Sequence, residues 1–172
     1  SVPSGFLALC SANLPEPTLS PNAAEQADDY FNTVLYTGNE TGQSITGVGF
    51  QPDFLWVKDR SAVNHHALFD AVRGQGSNGF FTLASSQTAA EVDVDHISSL
   101  DSDGFTLSSG RAQTNNGSNT YVAWNWKAGG TAVSNTDGSI TSSVSAATDA
   151  GFSIVSYTGT GSAGATVGHG LG

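Results

Sequence analysis

The chain has 172 residues, and Gly, Ser and Thr fill 61 of them. Charged residues are 12%, about half the roughly 25% usual for soluble domains, and fifteen carboxylates against five cations leave a net charge of −10. Lys58, Arg60, Arg73, Arg111 and Lys127 are too few and too scattered for a nucleic-acid footprint, the acidic balance argues against a membrane-surface anchor, and no stretch approaches the roughly 18 apolar residues of a membrane span.

Residues 1–30 form an arm of distinct texture. Pro3, Pro15, Pro17 and Pro21 fall within it, a density that predicts an extended connector. Ser20 as N-cap and Pro21 at the first helical position predict one short helix running to about Tyr30. Cys10 is the only cysteine, so neither an intrachain disulfide nor a cysteine-based zinc site is expected. The opening "SVPSGFLALC" lacks the basic start of a secretion signal and is not expected to be one.

Beyond the arm the pattern is of strands and turns. Phe31 to Tyr36 is rich in β-branched and aromatic residues, and Asn39 to Gly42 is a turn. Phe54–Lys58 and Ala67–Asp70 are short apolar runs, the second followed by the Gly-rich loop 73–79 and then by Phe80–Leu83. Gly104–Leu107 is a further strand. Asn115–Asn119 reads as a hairpin turn leading into Thr120–Lys127, the clearest strand of all. On that strand Val122, Trp124 and Trp126 share one face, expected to be core, while Tyr121 and Asn125 share the other with Ala123. Short strands with turn signals every 8–12 residues predict an all-β fold, an antiparallel β-sandwich of jelly-roll or lectin-like type.

One octapeptide recurs. Phe31–Gly38 and Phe152–Gly159 both read F-x-x-V-x-Y-T-G, 121 residues apart, and Gly47–Phe50 matches Gly168–Leu171 in the same register. The expected organisation is therefore a connector (1–30), a β-sandwich unit (31–130), a linking strand and turn (131–150) and the start of a second unit (151–172). An interior piece of a longer protein, or a second unit completed by another chain, is the expectation, since half a unit would leave exposed strand edges.

Candidate functional residues are few. Asn64-His65-His66 near Asp70 is the most catalytic-looking patch, but it lacks every metal-ligand spacing, and a loop histidine bonded to backbone is the preferred reading. His65 and His66 stay as candidate ligand contacts, with Tyr121 and Asn125 from the polar face of the 120–127 strand. Trp124 and Trp126 could alternatively form a sugar-stacking platform. Glu91, Asp93 and Asp95 would share a strand face, with Asp101 and Asp103 close behind. Calcium takes six to eight oxygens, so this is a candidate calcium site, though a solvated acidic face is preferred and no cofactor is expected. The loop 74–79 is neither a nucleophile elbow nor a phosphate loop, and no catalytic residue is assigned.

Five blocks in order carry a resemblance: Y-T-G-N (36–39), G-V-G-F-Q-P-D-F-L-W-V-K (47–58), L-F-D-x-V-R-G (68–74), D-S-D-G-F-T-L (101–107) and Y-V-A-W-x-W-K-A-G-G (121–130). Together they resemble a repeated β-rich domain of virion proteins of tailed bacteriophages. The opening G-F-L-A-L-C-S-A-N-L-P-E-P (5–17) is similar to the link that follows a SPRY or lectin-like domain in such proteins. Asn125 departs from the pattern of the family it resembles, in which many members carry Cys. The resemblance implies a non-enzymatic structural or adhesion protein such as a tail fibre, made in the host bacterial cytoplasm and displayed on the virion exterior. It implies other virion subunits as partners and a homo-oligomer, a trimer by analogy. A host-surface glycan or protein is a further partner, with no nucleic acid and no membrane insertion. The alternative is a carbohydrate-binding module of a secreted adhesin or enzyme.

Overall fold

The computed structural model describes residues 26–172 and is all-β, with twelve strands in four antiparallel groups. The arm's prolines, Cys10 and the helix start at Ser20 lie outside the described residues. Of that helix only its last residues fall inside, and there the chain makes a single 3-10 turn, Ala27–Asp29. The Gln26 backbone N–H donates to the Asp29 carboxylate at 2.7 Å, closing the turn.

Two sheets form the sandwich. The larger runs β1 (Phe31–Thr37), β9 (Thr120–Trp126), β3 (Phe54–Asp59) and β4 (Ala67–Asp70) in that order. The smaller runs β2 (Gln43–Thr46), β8 (Gly104–Leu107) and β7 (Ile97–Asp101), with a bulge between Ile97 and Ser99. A two-strand ribbon pairs β5 (Phe81–Thr82) with β6 (Val92–Asp93). Alternation decides the rest. Leu55 and Val57, Ala67 and Phe69, and Tyr121 and Ala123 point inward from the larger sheet, and meet Ile45, Ile97, Phe105 and Leu107 from the smaller. Each fully buried Phe or Leu contributes about 1.5–3 kcal/mol by leaving water.

The third sheet, β10 (Val133–Asn135), β11 (Ser142–Ala147) and β12 (Phe152–Tyr157), lies against the outer face of the larger one. Phe152 reaches both Phe54 and Trp126 there. Gly129 lets the chain pass the new sheet closely: a Cβ at that position would stand 2.1 Å from the Ala146 carbonyl oxygen.

Two expectations change. Asn115–Asn119 is no hairpin turn: it belongs to the stretch 108–119 that carries the chain from β8 in one sheet to β9 in the other, and Asn115 is fully buried. Its amide donates to the carbonyls of Thr41 and Ser108 at 2.6 and 3.1 Å and accepts from the Asn39 backbone and the Gln43 side chain at 2.9 and 3.1 Å. The second change is the orientation of β9. Tyr121, Ala123 and Asn125 face the sandwich core, and the tryptophans face outward. A small Ala and a Tyr whose hydroxyl can be satisfied fit between two sheets where two indoles would not.

Candidate binding surface

Tyr121 and Asn125, expected as exposed polar contacts, are both wholly buried, so neither can touch a ligand. The Tyr121 hydroxyl donates to the Ala112 carbonyl at 3.0 Å and accepts from the Asn116 backbone N–H at 2.8 Å, fastening the sheet-crossing loop. Burial raises its pKa. The Asn125 amide donates to the carbonyls of Asn32 and Ala123, both at 3.1 Å, while its own oxygen lies buried without a partner.

His65 and His66 point to different neighbours. His65 shares hydrogen bonds with Ser86 Oγ at 2.9 Å and the Gln87 side chain at 2.8 Å. His66 accepts at Nδ1 from the Trp56 indole N–H at 2.8 Å. Burial, with Lys58 and His65 nearby, lowers the His66 pKa and keeps the ring neutral, as that acceptor role requires. Their partners are therefore side chains, not the backbone expected from the sequence.

The acidic run does not present three carboxylates on one strand face, because β6 is only two residues long. Glu91 pairs with Arg73 at 3.1 Å, and Arg73 also holds Asp70 at 2.5 Å. The Asp93 carboxylate sits in the turn 77–79, accepting from the backbone N–H groups of Ser77, Asn78 and Gly79. Desolvation opposes its ionisation, but these donors outweigh it and keep its pKa below the usual value. Asp95 offers its backbone carbonyl to Arg111 at 3.1 Å. Among the described residues no three His, Cys, Asp or Glu side chains are grouped to hold a metal ion. Asp103 is likewise taken up: Gly47 and Gly49 donate their N–H groups to it at 3.1 and 2.7 Å.

What the fold does assemble is an aromatic outer face on the larger sheet. The register sets Thr33, Trp124, Trp56 and Leu68 in one row and Phe31, Trp126 and Phe54 in the next. Trp56 and Trp124 meet edge to face at 5.8 Å, and both are half-buried. The C-terminal sheet covers the Trp126 end through Phe152, and Leu35 beyond Trp124 is 64% exposed. Beside this face a cleft of about 690 Å³ opens where the sandwich meets the C-terminal sheet, bordered by Tyr30, Gln51, Ser102, Lys127 and Asp149. Lys127 stands 5.7 Å from the Tyr30 ring centre, a cation–π distance. Alternation on β9 gave the sequence signal for the aromatic face, while the buried His96 and Asp59 gave none. Asp59 accepts from Ser61, Ala62, Asn64 and Asn119. Burial would raise its carboxyl, but these donors win and hold it at about 2. His96 is buried against Phe69, and burial first, then Arg111, lowers its pKa to about 4.

The arrangement defines an all-β sandwich with an appended three-stranded sheet and an aromatic face between them. The chain belongs to the family described as a domain of unknown function, DUF7483, which matches residues 26–172 and so takes in the sandwich, the C-terminal sheet and both copies of the octapeptide. No curated protein and no solved structure matches it. No described helix is long and apolar enough to cross a membrane.

Proposed function

We propose that the chain is a non-enzymatic structural and adhesion module of a tailed-phage virion, of tail-fibre or surface-appendage type. The observation that carries this reading is Trp126, packed between Phe31 at 4.8 Å and Phe152 at 6.1 Å, the leading residues of the two copies of the octapeptide. Repeated strands that stack on a shared aromatic suit a modular, load-transmitting appendage. Repetition also multiplies weak surface contacts through effective concentration. The ordered sequence blocks supply the link to virion proteins. The test is mass spectrometry of purified particles of the phage that encodes the chain, with adsorption competed by recombinant protein. Presence in the particle with blocked adsorption supports the adhesion role, and presence without blocking leaves the structural role. Absence from the particle overturns the reading.

The half-buried pair Trp56 and Trp124 supports the second reading, a carbohydrate-binding module, because indole faces stack on the C–H faces of sugar rings and Thr33 and Lys58 lie beside them. A glycan array probed with the protein and with Trp124→Ala separates the two. Binding lost on substitution favours the module, and silence favours the structural role.

A further inference from the structure

The two copies of the octapeptide can be compared residue by residue. On β1, Asn32, Val34 and Tyr36 face inward. Tyr36 stacks on Tyr121 at 5.1 Å and 13°, meets Phe105 edge-on at 6.1 Å, and donates its hydroxyl to the Thr114 carbonyl at 2.8 Å. The smaller sheet of the sandwich thus covers this face. On β12 the matching residues are Ser153, Val155 and Tyr157. Phe152 turns toward Trp126, so by alternation Val155 and Tyr157 lie on the opposite face of the sheet, and at the β12 edge they border a cleft shared with Asp70, Arg73 and Leu83.

The hydrogen bonding matches as well. Tyr30 and Gly38, which flank β1, bond to Lys127 and Asn119 at the ends of β9. Gly151, in phase with them, bonds to Thr148 across the β11–β12 turn. The inward residues of β1 and their counterparts on β12 therefore direct their backbone groups toward the partner strand alike. The register sets Val133, Val144 and Val155 in one row of the C-terminal sheet and Tyr157 in the next, opposite Ser142. Val133 is 66% and Tyr157 57% exposed, while between them Val144 and Ser142 are buried beneath residues 168–170, with the Ser142 hydroxyl donating to the Gly168 carbonyl at 3.3 Å, so the chain itself covers only the middle of this face. The loops that follow differ in the same sense. Val48 and Phe50 are buried, while His169 is exposed and Leu171 half-buried.

We infer that this face of the C-terminal sheet, Val133, Val155 and Tyr157, is the inner face of a second sandwich, and that its occupant is the β2–β8–β7-type sheet of a second unit of this family. The first copy shows the occupant the second requires: a strand that brings an aromatic edge to the tyrosine, as Phe105 does to Tyr36, and a carbonyl that takes its hydroxyl. A sheet face with apolar residues on both sides calls for such cover.

This rests on the modular part of the proposed function and not on a place in a virion, and its test needs no phage. The full chain is extended after Gly172 by a second copy of residues 52–130, which continues the 121-residue register. In the 172-residue chain Tyr157→Asp is expected to leave the melting curve unchanged. In the extended protein the same substitution is expected to abolish or lower a second unfolding transition while the first stays put, and amides of 152–157 should exchange at least tenfold more slowly than in the unextended chain. The inference is overturned if the added segment stays unfolded, if it folds without slowing exchange in 152–157, or if Tyr157→Asp is as silent there as in the shorter chain. Tyr157→Phe, which keeps the ring, is expected to retain the second transition.

Discussion

Phe152 lies nearly parallel to the Trp126 indole, with ring centres 6.1 Å and planes 20° apart. The contact ties the C-terminal sheet to the sandwich, and Phe54 completes the cluster at 6.3 Å from Phe152 and 5.3 Å from Trp126. Truncating it removes an aromatic pair and buried area together, about 2–3 kcal/mol, from a region outside the main core. Phe152→Ala is therefore expected to speed amide exchange in residues 142–157 by ten- to hundredfold and to leave exchange in β3 and β9 unchanged. Equal acceleration in both regions would mean that the two unfold as one body.

The sequence revealed most of the strands and misassigned one pair of faces. β1, β3, β8 and β9 are legible because β-branched and aromatic residues alternate between turn residues, and the all-β class follows from them. Alternation separates the faces of β9 without saying which is inner, so it does not reveal that Tyr121 and Asn125 lie inside. Trp124 and Trp126 make their face look like core, yet the C-terminal sheet covers only the Trp126 end of it, and Ala123 marks the tighter face. β2, β7, β10 and β11 are rich in Ser and Thr and carry a weak apolar signal. The buried Asn115, Asp59 and His96 were illegible for another reason. The partners of Asn115 and His96 lie far along the chain, as Asn39 and Thr41 do for Asn115, while Asp59 bonds locally to Ser61, Ala62 and Asn64 in a pattern that an exposed turn would share, so its burial goes unannounced.

His96 sets the upper limb of the acid response. Its ring is 4% exposed, contacts Thr114 Oγ1 at 3.2 Å, and faces Asp95 and Arg111. Burial and then Arg111 lower its pKa to about 4, against 6.5 for an unhindered histidine, while Asp95 acts weakly the other way. The unfolded chain thus binds a proton that the folded chain refuses between these values. Stability is expected to fall as pH drops from about 6.5 to about 4, by about 3 kcal/mol over the full window, and to level off below it with respect to this group. Denaturant melts at pH 7 and pH 4.5 test this, and His96→Asn should flatten the slope.

Asp59 sets the lower limb. Its carboxyl is held at about 2, below the 3.8 of an open carboxylate, so its contribution is present above pH 4 and lost as pH falls toward 2. Asp93 and Asp103 are lowered too and act in the same direction. Asp59→Ala leaves the donors of Ser61, Ala62, Asn64 and Asn119 without their acceptor and is expected to cost about 2–4 kcal/mol at pH 7. The loss should shrink in melts at pH 2.5, where the wild-type carboxylate is itself being protonated.

Gly129 and Gly130 are neighbours with different jobs, and substituting each by Ala distinguishes them. At Gly129 a Cβ would stand 2.1 Å from the Ala146 oxygen and 2.8 Å from its nitrogen, so β11 must move. At Gly130 nothing lies within 4 Å, and the only penalty comes from φ +76°. That costs about 1 kcal/mol, the price of a left-handed backbone for an L-residue. Gly130 also accepts the Ser145 hydroxyl at 2.7 Å through its carbonyl, which alanine keeps. Gly129→Ala is therefore expected to free the C-terminal sheet, with fast exchange in 142–157 and increased cleavage there by a broad protease. Gly130→Ala should lower the melting temperature by a few degrees with the sheet still protected. If the two variants behaved alike, close packing of β11 on the 128–130 turn would not be what seats the C-terminal sheet.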